Sequence, residues 1–95
     1  MDDLNTLGTP QAGLSQKVAY TGTAGTTTAM PYHTKVVRVT TTTDAFVQIG
    51  LSPTAVANVD MFMVANTTEY FNCPKNGKVS AIQSSSGGNL YVTPF

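Results

Sequence analysis

Thr supplies 16 of the 95 residues, Val 10 and Ile 2, whereas Glu occurs once and Leu five times. Branching at Cβ stiffens χ1 and suits a side chain to a pleated surface rather than a helix. The straight-chain residues that sustain helices are scarce. Gly, Pro, Asn and Asp interrupt the apolar stretches every eight to twelve residues, too often for long helices and at the spacing of short strands. The expected class is all-β, with about seven or eight short strands in a single β-sandwich or jelly-roll-like barrel.

The strands are read from period-2 alternation between these breaks. Gln16 to Thr21 is the first, followed by a turn at residues 22–25 and a weaker strand from Thr26 to Met30. Thr34 to Thr42 (TKVVRVTTT) and Ala45 to Gly50 (AFVQIG) flank Thr43-Asp44, which predicts a β-hairpin with Asp44 in its turn. Apolar residues fall on both faces of this pair, as in a sandwich whose outer side meets another molecule. Leu51 to Asp60 is irregular, with Pro53 fixing a turn. Short strands are expected at Met61 to Val64, Glu69 to Asn72, Lys78 to Gln83 and Asn89 to Thr93, with Asn76-Gly77 as a second hairpin turn. Residues 1–14 have no periodicity and are read as an N-terminal arm preceding a sandwich of residues 15–95. Fully extended, such an arm reaches roughly 45 Å at about 3.3 Å per residue.

A domain this small hides only about two thirds of the surface its unfolded chain exposes, so it needs reinforcement. One cysteine, Cys73, forms no intrachain disulfide, and one histidine with one cysteine builds no closed four-ligand metal site. Association with copies of itself or with a partner protein is the remaining route. Charge points the same way: five basic and five acidic residues cancel, and only 11% of the chain is charged. Lys17, Lys35, Arg38, Lys75 and Lys78 are too dispersed for a phosphate-binding patch, so no nucleic-acid partner is expected. No segment has transmembrane length and the first residues do not form a secretory signal, so no membrane partner is expected either.

The candidates for chemistry are few. His33 is the only histidine, the residue type most used for proton transfer, and it lies in a linker beside Tyr32. No nucleophile-elbow pattern accompanies the serines. Asp44, Asp60 and Glu69 occupy turn and strand-edge positions rather than the spacing of a catalytic pair. Cys73 is expected to be a buried, inert thiol. Gly87-Gly88 lacks the residues of a phosphate loop, and Asn66-Thr67-Thr68 is read as a turn. Tyr20, Tyr32, Tyr70 and Tyr91 would form a sugar-stacking platform only if several shared one face. The reading is of a protein that is not an enzyme and needs no cofactor.

From Lys35 onward the phrases KVVRVTTTTDAFVQIGLSPTA and MFMVANTTEYFNCPKNGKVSAIQSSSGGNLYVTPF resemble small virion proteins of tailed bacteriophages and their prophages. The resemblance covers about two thirds of the chain and consists of strand and turn phrases, not catalytic motifs. It implies a capsid decoration or cement protein. Such a protein sits on the outer surface of the virion and bridges neighbouring copies of the major capsid protein. It is commonly a homo-oligomer, often a trimer, and is made in the host cytoplasm. Leu4, Leu7 and Leu14 are the expected arm anchors, with Tyr32 and Phe95 as contacts at the edge of the body. The alternatives are a head-fibre, tail or baseplate component of the virion, or a carbohydrate-binding β-sandwich module.

Overall fold

A computed structural model describes residues 9–95. They form eight strands: β1 (Gln16–Tyr20), β2 (Gly25–Thr26), β3 (Val36–Thr41), β4 (Ala45–Gly50), β5 (Met61–Met63), β6 (Thr68–Asn72), β7 (Lys78–Gln83) and β8 (Gly88–Pro94). Two four-stranded antiparallel sheets pack face to face, in the orders β1-β8-β3-β6 and β2-β7-β4-β5. This is the strand order of a jelly roll, an all-β sandwich in which successive strands alternate between the sheets except at β4 and β5, which pair within one sheet. The fold class expected from β-branched residues and closely spaced turns is therefore observed.

Alternation along each strand places the core. Val37, Val39 and Thr41 of β3 and Leu90, Val92 and Pro94 of β8 point inward from the first sheet. Ala45 and Val47 of β4 and Val79 and Ala81 of β7 meet them from the second. Tyr20, Met30 and Met63 close the margins, and Cys73 completes the cluster. The opposite faces of β3 and β8 carry Arg38, Thr40, Tyr91 and Thr93, which water or a partner reaches.

Both predicted hairpins are absent. β3 pairs with β8 and β6, whereas β4 pairs with β7 and β5, so the turn at Thr42–Asp44 carries the chain from one sheet to the other. Thr42 still donates its amide to Asn89 O at 3.0 Å, while Asp44 O already accepts from Ser84 N at 3.1 Å in the second sheet. Asp44 does not close a hairpin; its carboxylate accepts from Ala65 N at 2.8 Å and holds the β5–β6 connection. The Asn76-Gly77 turn likewise joins β6 of the first sheet to β7 of the second. Asn76 takes a left-handed φ of 58°, and a Cβ on Gly77 would lie 2.7 Å from Cys73 Sγ, so glycine is required where the chain crosses. Period 2 is the same for two strands side by side and for two strands facing each other across a core. The pattern thus located the longer strands but not their neighbours. The expected strand from Thr26 to Met30 is mostly a single extended segment, tied to β7 by Thr27 N to Val79 O and Met30 N to Gly77 O.

Candidate functional site

The side chains that invited chemical readings lie apart and have structural partners. Asp60 accepts from Gln48 Nε2 at 3.1 Å and from Val56 N at 2.7 Å, fastening a loop. Glu69 is exposed on β6, opposite Val39. Cys73 is buried, its thiol directed at Pro74 O, and loss of hydration pushes its pKa up. A less available thiolate makes a poor nucleophile. Among the described residues no three His, Cys, Asp or Glu side chains gather as metal ligands. Tyr20 is buried, and Tyr32 stands at one end of the sandwich. Only Tyr70 and Tyr91 share a face, the outer side of the first sheet, with β3 between them.

The anomaly of the surface is apolar and lies in the second sheet. Leu51, Val56, Val59, Met61, Phe62 and Val64 are all exposed, Val59 to 75% of its area and Phe62 to 47%. Scattered single apolar residues are normal on a protein, whereas several concentrated in one short segment make that segment a candidate binding surface. These six fall within fourteen consecutive residues that include β5, one of the two edge strands of its sheet.

The segment is held rigidly. The β4–β5 connection folds back over the outer face of the second sheet, burying Pro53 and Ala55. Ala55 donates its amide to Ser80 Oγ at 2.9 Å, which explains a fully buried serine on the outer side of β7. Gln48 clasps Thr54 by both amide ends, donating to its carbonyl at 3.3 Å and accepting its N–H at 3.1 Å. A tight turn follows, with Val59 N and Asp60 N both reaching Val56 O, Asn58 at φ 64°, and the Asp60 carboxylate closing it on Val56 N. Phe62 stacks at a tilt on Phe46, ring centroids 5.4 Å apart. Apolar side chains are thus presented on a braced scaffold, which reduces the ordering cost of binding.

A second feature lies at the opposite end from Thr42–Asp44. A cleft of about 310 Å³ is lined by Tyr32, His33, Thr34, Lys35, Cys73 and Lys75. Lys75 Nζ donates to the Tyr32 hydroxyl at 2.9 Å and lies 4.5 Å from its ring centroid. His33 meets the same ring edge-on at 5.0 Å. Among the described residues, no Asp or Glu side chain lines this cleft.

Of the residues expected to bind partners, Leu4 and Leu7 lie outside the described residues. Leu14 is 44% exposed in a turn whose amide bonds Gln11 O, and Tyr32 is 56% exposed at the cleft. Phe95 is half-buried, its amide bonded to Val36 O and its ring 5.8 Å from that of Tyr70. The backbones of Leu14, Tyr32 and Phe95 gather at one end, around the bonds from Gln11 N to Pro94 O and Gln11 Nε2 to Thr34 Oγ1. The Leu51–Val64 surface was not singled out from sequence. Met61-Phe-Met-Val64 reads equally well as a buried strand, yet only Met63 is buried. Comparison with protein-family models, curated proteins and solved structures found no significant match.

Proposed function

We propose that this chain is a non-enzymatic structural protein of a virion, of the capsid decoration or cement type. It binds the outer shell and bridges neighbouring major capsid protein subunits. The observation that carries the reading is the braced apolar surface from Leu51 to Val64 on a jelly roll whose reactive side chains are dispersed. A shell under internal pressure is strengthened by area buried between its units, a task that needs adhesion and no reaction. One interface of standard size buries about 1,600 Å² in total. Identical modest contacts repeated over a symmetric lattice reinforce one another. A fold alone does not specify a function, so the weight rests on this surface and on the resemblance of the Lys35–Phe95 phrases.

Adhesion by this surface is tested with Val59→Asp combined with Val64→Asp. Both side chains are exposed, so circular dichroism and melting temperature should stay unchanged while co-sedimentation with the virus particle is lost. Full co-sedimentation of the folded double variant would refute the reading. Copy number in purified virions separates a shell component, present in many copies per head, from a fibre, tail or baseplate component, present in few.

A further inference from the structure

We propose that the outer face of the first sheet is a binding platform for an acidic polysaccharide, whose sugars stack on Tyr70 and Tyr91 and whose carboxylates pair with Arg38 between them. Both tyrosines are exposed, Tyr70 to 47% and Tyr91 to 41% of its area. Register brings them to one place. Tyr70 of β6 stands opposite Arg38 and Tyr91 of β8 opposite Thr40, so the two side chains flank β3 from either side. Two strand spacings across and two residues along separate their Cα atoms by roughly 12 Å, about the length of two linked sugar rings in an extended chain. The C–H groups on one side of a pyranose carry slight positive charge and meet the electron-rich face of a tyrosine ring. Alternate sugars of one chain therefore find a stacking partner.

Polar groups between the rings supply the rest of the chemistry. Arg38 Nη2 donates to Thr68 Oγ1 at 3.4 Å and the guanidinium keeps further N–H groups for a ligand. Thr40 and Thr68 share a hydrogen bond at 3.0 Å, which fixes two hydroxyls in place. The Phe95 ring meets that of Tyr70 edge-on, centroids 5.8 Å apart, and restrains it. Lys17 of β1 stands opposite Tyr91, so this face carries two cations. They complement the carboxylates of uronate or sialate sugars, which a planar guanidinium binds in bidentate fashion. Glu69, the one acidic residue in these four strands, stands opposite inward-facing Val39 and so alternates away from this face. Single-stranded nucleic acid also stacks on aromatic rings. Two cations neutralise few phosphates, however, and fixed hydroxyls suit sugar hydroxyls better. Leu51–Val64 belongs to the opposite sheet, so both surfaces can be occupied at once, whatever the second one binds.

Affinity electrophoresis of the full-length protein tests this, with polygalacturonate, alginate, hyaluronan or polysialic acid in the native gel. Dextran is the neutral control and oligothymidylate the nucleic-acid control. At least one of the acidic polysaccharides should retard the protein, and dextran should not. Tyr70→Ala and Tyr91→Ala should each raise the dissociation constant about tenfold, the loss of one aromatic stack. Arg38→Gln should raise it several-fold, whereas Tyr32→Ala, at one end of the sandwich, should leave it unchanged. Circular dichroism checks that each variant is folded. Chemical-shift mapping of the ¹⁵N-labelled wild-type protein needs no variant, and the shifts should centre on β3, β6 and β8. No retardation by any of the four, equal retardation by dextran, undiminished binding by the folded tyrosine variants, or shifts centred elsewhere would each overturn the proposal. Tighter binding of oligothymidylate would overturn it too, by making the face a nucleic-acid platform.

Discussion

Two hydroxyls in this sandwich are expected to respond to deletion with opposite sign. Thr41 points inward at the end of β3, is fully buried, and its Oγ1 has no hydrogen-bond partner. Tyr20 is also buried, but its hydroxyl donates to Thr43 O at 2.9 Å, accepts from Thr43 N at 3.2 Å and lies 2.8 Å from Thr43 Oγ1. A buried polar group without a partner costs about 1–3 kcal/mol in lost hydration. Thr41→Val keeps the shape, removes that cost and adds a methyl to the core. The expected gain is about 1–2 kcal/mol, or roughly 4–8 °C in Tm per kcal/mol for a domain of this size. Tyr20→Phe removes a satisfied hydroxyl and leaves the Thr43 amide without its partner, so a loss of about 1–2 kcal/mol is expected. Urea unfolding followed by circular dichroism, with unchanged m-values, measures both. A Thr41→Val protein that is less stable than wild type would refute the reasoning, because it would mean that the Thr41 hydroxyl is satisfied.

Three further outcomes follow from the geometry. Gly88→Ala should destabilise by about 1–3 kcal/mol, since its Cβ would lie 2.5 Å from Thr43 Oγ1 and 2.9 Å from the Tyr20 hydroxyl; thermal melting reads this directly. Asp60→Ala leaves the Val56 amide without its acceptor and the Gln48 amide group with Thr54 O as its remaining acceptor, and should lower stability by about 1–2 kcal/mol and speed amide exchange across residues 54–60. The Cys73 thiol, its pKa raised by burial, should alkylate more slowly at pH 8 than a free thiol, in a time course read by mass spectrometry. The same shift favours the neutral thiol in the folded state. That contribution is complete below the ordinary thiol range and is lost as pH rises through the elevated folded value, so urea midpoints should fall in strongly alkaline solution.

The strands themselves were legible from their period-2 alternation, as at Val37 and Val39 and at Ala45 and Val47, although apolar residues on both faces left the buried side open. Their partners were not. A polar three-residue link such as Thr42–Asp44 serves a hairpin or a crossing between sheets equally well. The choice is made by residues far along the chain: β8 occupies the place beside β3 that a hairpin would have given to β4. The cleft eluded sequence reading for the same reason, since Tyr32 and Lys75 meet only when β3 and the β6–β7 crossing share one end. Buried and exposed apolar runs look alike on paper. Phe62 is exposed on β5, which has no strand beyond it, and Val64 lies just past that strand's end. Ser80, polar and fully buried, became interior because the β4–β5 loop lies over it.

The place of Gly88–Pro94 has a consequence for biosynthesis. That strand stands in the middle of its sheet, between β1 and β3, and supplies the hydrogen bonds of both. While the ribosome is still producing the chain, Gln16–Tyr20 has no mate, and Val36–Thr41 can be flanked on one side only. The first sheet therefore cannot nucleate from its leading end, and until β8 is in place β1 is unpaired and the core is open where Leu90, Val92 and Pro94 belong. Folding must bring together segments some seventy positions apart, a slow search for so short a sandwich.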